Sequence, residues 1–268
     1  MCDTTKRRVA IGFFDGVHLG HQLILRGADE VITFADHPLC VISPGSAPKL
    51  IMSLEERIVP DAKITVLDFT EELAAMRAVD FASRYLSGAI VRCGRDWRFG
   101  KSGEGSAPFL RKLSYDVEEI EDFKLSSLKV SSSAIRGLLQ KGDVVLANAM
   151  LSRPFSCRGR VAAGKGVGAA QLSCPTLNIQ VGDLPLRYGV YKVRIGSRRA
   201  VANYGLAPTF KEKSWKTPVL EVHLLDAEPC GITEAKVEFI DFLRDEKEFD
   251  SLEDLKRQLS LDCERASA

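Results

Sequence analysis

Short apolar runs alternate with helical periods from Arg8 to about Leu151. Val9-Ala10-Ile11, Val31-Ile32-Thr33-Phe34, Ile64-Thr65-Val66-Leu67 and Ala89-Ile90-Val91 read as four buried strands, and Ala74, Ala78, Phe81 and Tyr85 recur at helical spacing within residues 71–86. Strands separated by helices pair in parallel through crossovers, so this half predicts a doubly wound α/β domain with its ligand site at the carboxyl ends of the strands. After Pro154 the rhythm changes. Six segments punctuated by Gly, Pro and Asn follow, at 155–161, 177–181, 189–195, 200–204, 219–225 and 236–243, without helices between them, and they predict a small antiparallel barrel. A closing helix is expected from Ser251, with Glu253 and Asp254 in its first turn and Leu252, Leu255 and Leu259 on one face. The expected domains are residues 1–149 and 153–268, divided at Arg153-Pro154.

Composition narrows the class. With 268 residues, 45% apolar, 27% charged and a net charge of +1, the chain can bury substantial cores but lacks the basic surplus of a dedicated nucleic-acid binder. No stretch approaches the roughly 20 apolar residues of a membrane span, and Met1 to Arg8 lacks the apolar run of a leader, so a cytoplasmic location is expected. The seven cysteines form no Cys-x-x-Cys pair, which supports neither a disulfide framework nor a zinc site.

Two of the four histidines, His18 and His21, follow the first strand in Gly12-Phe13-Phe14-Asp15-Gly16-Val17-His18-Leu19-Gly20-His21. A strand-to-helix turn offers backbone N–H groups to a phosphate, and imidazoles three apart point to one side, where they can donate to a phosphate whose charge grows during displacement. The same pair would also serve as plain helix capping. A second anion receptor agrees with the chemical reading: Ser131-Ser132-Ser133 open another helix with Arg136 one turn later, Ile135, Leu138 and Leu139 facing inward and Gly142 placed to stop it. Two such receptors suit nucleotidyl transfer with pyrophosphate as the leaving group.

The ordered set Gly12 to His21, Thr33-Phe34-Ala35-Asp36-His37-Pro38, Gly94-Arg95-Asp96-Trp97-Arg98-Phe99-Gly100 and Ser131 to Arg136 resembles the motifs of the adenylyltransferase module of bacterial bifunctional riboflavin kinase/FMN adenylyltransferases. The resemblance continues in Cys174-Pro175-Thr176-Leu177-Asn178, Tyr188 to Tyr191, Asn203-Tyr204-Gly205, Pro208-Thr209-Phe210 and Leu220-Glu221-Val222-His223. It implies that His18 and His21 steady the α-phosphate of ATP while Ser131, Ser132 and Arg136 hold the outer phosphates. It further implies that Gly12, Phe14, Asp15 and Gly16 line the nucleotide and that Gly94, Asp96 and Phe99 face flavin or adenine. From the residues alone, Asp96 and Arg98 could equally pair with each other, and Trp97 and Phe99 could be core.

In the second half Thr176 and Asn178 lie two apart at a strand start, so an extended backbone directs both oxygens to one side, where they could share Mg²⁺ arriving with ATP. Glu221 shares a strand face with Val219 and His223, and a carboxylate inside a small barrel is costly unless it is paired or working. Turn chemistry for the first two and a wet strand face for Glu221 is the other reading the residues allow. The resemblance makes Glu221 the general base for the ribityl hydroxyl of riboflavin. The chain departs from the family in Gly164 to Cys174, where the usual arginine is absent and Ser173-Cys174 replace Gly-Phe; Gly164 and Lys165 are then the expected nucleotide contacts. The leading expectation is a bifunctional enzyme making FMN and FAD from riboflavin, FMN and ATP with Mg²⁺, as a monomer or weak oligomer without nucleic acid or membrane. The alternatives are an adenylyltransferase with a degenerate kinase half, or a non-catalytic flavin- or nucleotide-binding protein.

Overall fold

The computed structural model describes residues 6–57, 62–162, 176–206, 218–225 and 232–267. Two compact units divide the chain, Met1–Ser132 and Ser133–Ala268.

The first unit is a five-stranded parallel sheet in the order β3-β2-β1-β4-β5. Its strands are β1 (Arg8–Ile11), β2 (Glu30–Phe34), β3 (Lys63–Leu67), β4 (Ile90–Gly94) and β5 (Asp116–Ile120). The first four match the apolar runs, each shifted by a residue or more. β5 was not expected: Asp116-Val117-Glu118-Glu119-Ile120 reads as charged, and it forms because an edge strand needs only a half-buried face, with Glu118 paired to Arg92 on β4. Helices α1 (Leu19–Leu25), α2 (Leu39–Ile42), α3 (Glu71–Ala75), α4 (Ala78–Phe81) and α5 (Ala107–Lys112) make the connections, with a small hairpin of β6 (Lys124–Leu125) and β7 (Leu128–Lys129) before Ser132. The single helix expected over 71–86 is broken at Met76-Arg77. There Lys101 N–H donates to the Met76 carbonyl, and Ala78 N–H donates to the Glu104 carboxylate at 2.7 Å, so the break is imposed from far along the chain. α4 then runs into a π-helical turn at Ala82–Leu86.

The second unit opens with α6 (Ser132–Lys141) and α7 (Val144–Leu151). Ile135 and Leu139 are fully buried, and Gly142, at φ +84°, ends α6 as its position suggested. Six strands, β8 (Phe155–Ala162), β9 (Thr176–Gln180), β10 (Gly189–Ile195), β11 (Arg198–Gly205), β12 (Val219–Leu224) and β13 (Glu234–Arg244), close into an antiparallel barrel in the order β10-β11-β12-β9-β8-β13. Its interior is filled by Tyr191, Val193, Ala200, Ala202, Tyr204, Leu220, Val222, Leu177, Ile179, Val237 and Phe239, one face of each strand from β9 to β13. α8 (Leu252–Ser267) is capped by Ser251, whose Oγ accepts from Asp254 N–H, and packs Ala266 with Val190 and Val201 on the outer face of the barrel.

The unit boundary precedes α6 and α7, whereas the sequence pattern set it after them. α7 buries Val144, Ala147, Met150 and Leu151, and Asn148 bridges two barrel strands, donating to the Phe239 carbonyl at 2.8 Å and accepting from Phe155 N–H at 2.6 Å. Its contacts run to β13 and β8, so it is part of the barrel's own core.

Candidate active site

β1 lies between β2 and β4, so the chain leaves β1 toward one edge of the sheet and returns to its other side. The crevice outside the carboxyl ends of β1 and β4 is therefore the switch point at which open α/β sheets bind ligands. The loop from Gly12 to His18 opens from β1, and the loop from Gly94 to Phe99 opens from β4.

The β1 loop is bent hard. Phe14, Gly16 and Val17 have φ of 56°, 85° and 37°, and only Gly16 adopts such a backbone without strain. The bend delivers His18 to the N-cap of α1, where its Nδ1 accepts from His21 N–H at 3.2 Å. That bond leaves the proton of neutral His18 on Nε2. The imidazoles of His18 and His21 stack with centroids 3.6 Å apart and planes 18° from parallel. His21 Nδ1 is buried without a hydrogen-bond partner among the described residues. Burial, and secondarily the neighbouring His18, push the His21 pKa well below the ordinary imidazole value. The His21 ring thus rests neutral, and both imidazoles can serve as hydrogen-bond donors that gain strength when anionic charge grows beside them.

Of the other residues expected here, Phe14 is buried with Ala10, Ile24, Leu25 and Val31 and meets His21 edge-on at 5.3 Å. Gly12 N–H donates to the Ile32 carbonyl, holding the loop's start to β2. Asp15 is buried, and its Oδ1 accepts from Ile51 N–H at 2.9 Å and Met52 N–H at 3.3 Å. The Asp15 carbonyl accepts from Ser132 Oγ at 2.8 Å, which brings Ser131-Ser132 beside the histidine loop. Arg136 stands one turn further along α6, in the second unit, with Nη2 on Ser133 Oγ at 3.5 Å. On the β4 loop, Gly94 ends the strand with the Ile24 side chain close by, and Phe99 is core, stacked by Trp97 at 4.4 Å. Asp96 and Arg98 do not pair. Asp96 is bound by Lys129, which also pairs with Asp122, while Arg98 donates to the carbonyls of Arg95 and Trp97.

The sequence pattern gave no sign of Arg57, which sits in Glu55-Glu56-Arg57 and reads as part of an exposed charge run. It is 3% exposed; Nη1 donates to the carbonyls of Phe13 at 3.0 Å and Phe34 at 3.1 Å, and Nη2 to that of Ala35 at 3.1 Å.

In the barrel, strand alternation corrects the placement of Glu221. Leu220, Val222 and Leu224 point inside, so Glu221 and His223 lie on the outer face. Register puts Glu221 opposite Asn178 on one side and Asn203 on the other, and His223 opposite Thr176, whose Oγ1 lies 3.3 Å from His223 Nδ1. Thr176, Asn178, Glu221 and His223 thus share one outer face, as the spacing of the first two required. Burial, and then the negative charge of Glu246, raise the Glu221 pKa, which makes its carboxylate a stronger base. Burial pushes the His223 pKa down. Glu246 and Asn203 were not singled out as site residues. The Glu246 carboxylate takes a side-chain hydrogen bond from Asn203 and lies 1.8 Å from where a Cβ on Gly205 would sit. Gly164, Lys165 and Pro208 to Phe210 lie outside the described residues. No group of three His, Cys, Asp or Glu side chains able to hold a metal occurs among the described residues. Thr176 and Asn178 offer neutral hydroxyl and amide oxygens, a donor pair suited to a hard cation that brings its own anionic ligands.

A parallel nucleotide-type unit bearing a histidine pair, followed by an antiparallel barrel bearing an activated carboxylate, defines a two-domain transferase. The family model for FAD synthetase matches residues 2–134, and that for riboflavin kinase matches residues 151–268. The bifunctional riboflavin kinase/FMN adenylyltransferase of Bacillus subtilis (strain 168) is 31% identical over 98% of this chain and 92% of its own length. That of Haemophilus influenzae is 32% identical over 97% of this chain and 93% of its own. The chain belongs to the bifunctional riboflavin kinase/FMN adenylyltransferase family. A crystal structure described as a macrolide-efflux protein from Streptococcus pneumoniae superposes with a TM-score of 0.84 at 27% identity, over 98% of this chain and 94% of that one. What the two share is the fold; among the described residues here, no helix is long and apolar enough to cross a membrane.

Proposed function

We propose that this chain phosphorylates riboflavin to FMN on the barrel and adenylylates FMN to FAD at the histidine pair. In the first unit an FMN phosphate oxygen attacks the α-phosphorus of ATP, the bond from that phosphorus to its bridging oxygen breaks, and pyrophosphate leaves. His18 and His21 donate to the charge that builds on the α-phosphate, and Ser131, Ser132 and Arg136 receive the outer phosphates. The observation that carries this reading is the stacked imidazole pair at the switch point of the sheet. Asp15 acts here through the backbone, shaping the loop, because its carboxylate is engaged by Ile51 and Met52.

On the barrel the primary ribityl hydroxyl attacks the γ-phosphorus of ATP, its proton passes to Glu221, and ADP leaves. The raised Glu221 pKa supports that role. Thr176 and Asn178 are the residues that would hold Mg²⁺, which when bound would neutralise part of the ATP phosphate charge. Small molecules are the proposed partners and the cytoplasm the proposed compartment, in keeping with ATP as co-substrate of both steps.

Purified protein supplied with riboflavin, ATP and Mg²⁺, or with FMN in place of riboflavin, tests both halves when products are separated by chromatography. His18→Ala and His21→Ala are expected to slow FAD formation by about 10² to 10³ and to spare FMN formation. Glu221→Gln is expected to abolish FMN formation and spare FAD formation, because the amide cannot take the proton. Wild-type protein that makes FAD but no FMN at any Mg²⁺ concentration, with oxidised or reduced flavin, would establish the adenylyltransferase alone, the reading favoured by the altered segment Gly164 to Cys174.

A further inference from the structure

Arg57 has no role in the chemistry above, yet it is the most deeply buried cation in the described part of the first unit. Among the described residues its hydrogen bonds go to backbone carbonyls, those of Phe13, Phe34 and Ala35, and its Nε makes none. Its guanidinium also lies over the Phe13 ring, 4.1 Å from the centroid, and His37 meets the same ring edge-on at 4.7 Å. Asp15, Glu55 and Asp36 are the charged groups that act on it. An apolar side chain would fill such a place without the desolvation that a buried cation suffers. What an apolar side chain cannot do is bind carbonyls from the ends of two adjacent strands. A lysine could not span them either, since its ammonium is a compact point charge without the planar fork.

The carbonyls it binds matter because of where they lie. Phe13 immediately precedes the run Phe14 to Val17, three of whose four residues have positive φ, and that run ends at His18. Strained backbone persists only where its surroundings over-determine it. Here residues 51–57 supply that constraint from both ends: the N–H groups of Ile51 and Met52 hold the Asp15 carboxylate, and Arg57 holds the Phe13 carbonyl, which Thr33 Oγ1 also binds at 3.2 Å.

We propose that Arg57 is a positioning residue for adenylyl transfer, clamping Phe13 to the end of β2 so that the strained loop presents His18 and His21 as a stacked pair. This rests on the assignment of that pair to FAD formation. The test uses full-length Arg57→Met and Arg57→Lys, with kcat and KM measured for FAD formation from FMN and ATP. Riboflavin phosphorylation by the same molecules serves as the control for intact protein. The Hε1 resonance of His21, assigned through His21→Gln, is titrated in each.

Arg57→Met is expected to lower kcat by about 10²-fold with little change in either KM, as for a reacting group displaced by about 1 Å. The His21 midpoint is expected to rise toward the ordinary imidazole value as the ring leaves the stack and meets water; Arg57→Lys is expected to change both in the same sense, by less. A purely structural Arg57 would lower the melting temperature and leave kcat per folded molecule and the His21 midpoint unchanged. That result in both variants overturns the proposal; if Arg57→Met does not fold, the same result in Arg57→Lys does so alone. Should the wild-type protein make no FAD, the reaction assignment fails, while the His21 midpoint still reports whether Arg57 sets the histidine geometry.

Discussion

Asp262 on α8 is fully buried, and its two oxygens accept from Arg244 Nε at 3.1 and 3.0 Å, from Arg244 Nη2 at 2.7 Å and from Gln258 Nε2 at 2.9 Å. Asp262→Ala removes every one of these acceptors. Arg244 keeps its Nη1 bond to the Asp245 carbonyl, but its side chain is only 12% exposed and cannot turn to water without disturbing α8. Breaking a buried pair from one side costs about 3 to 5 kcal/mol, which for a unit of this size lowers its melting temperature by about 10 to 20 °C. Replacing both partners, as Arg244→Met with Asp262→Leu, leaves no uncompensated charge and is expected to fall within about 1 kcal/mol of the wild type. Calorimetry on the wild type, Asp262→Leu, Arg244→Met and the double variant closes a cycle that gives the coupling directly. α8 lies against the barrel face that bears Glu221 and His223, so riboflavin phosphorylation should be lost as the second unit of Asp262→Ala melts. An Asp262→Ala cost below about 1 kcal/mol, or a double variant as unstable as the single one, would refute the view that this pair, rather than apolar packing, pins α8.

Two further outcomes follow from burial. His21 has a folded pKa below its unfolded value of 6.5, so the unfolded chain binds more protons as pH falls below 6.5 and stability rises with pH across that window. Urea unfolding of the first unit should show lower stability at about pH 5.5 than at about pH 7.5, and His21→Gln should flatten that dependence; an unchanged slope would exclude His21 as its source. The packing of α7 on β8 and β13 predicts that the fragment 133–268 melts at a higher temperature than the fragment 153–268, which loses the Asn148 bridge, and equal melting temperatures would show that α7 adds nothing to the barrel.

The elements most legible in the sequence were those whose stability is local or repetitive. Gly189 to Ile195 forms a strand over the very range its β-branched residues mark, and Gly142 ends α6 because left-handed backbone there favours glycine. The break at Met76-Arg77 was illegible because its hydrogen-bond partners, Lys101 and Glu104, lie more than twenty residues away. The same holds for Asp96, which the pattern could join only to its neighbour Arg98 and which is held by Lys129 from a distant hairpin. Glu221 was legible as a carboxylate on a barrel strand, but its side of the barrel wall was not, since alternation gives two faces and only closure of the sheet decides which is the interior. Arg57 left no trace, because a charged residue beside two acids looks the same in sequence whether it meets water or three carbonyls.

The two sites hold their reactive groups by a common device. In each, desolvation is the largest influence on the group proposed for the chemistry, keeping the His21 imidazole neutral and the Glu221 carboxylate basic. Such burial is unfavourable to folding, and it lasts only if the surrounding backbone cannot relax around it. In the described structure a fully satisfied or nearly satisfied buried ion stands beside each. Arg57 with Asp15 fixes the loop that carries the histidines, and Arg244 with Asp262 fixes the helix packed on the face that carries Glu221 and His223. Directional bonds suit this task better than apolar contacts, which resist separation but tolerate sliding. A loop that slid by one rotamer would admit water to His21, and the imidazole would then recover an ordinary pKa and carry a proton before the phosphate arrived. The buried charges are therefore where substitutions should alter chemistry and stability together, while exchanges among the apolar barrel residues should alter stability first.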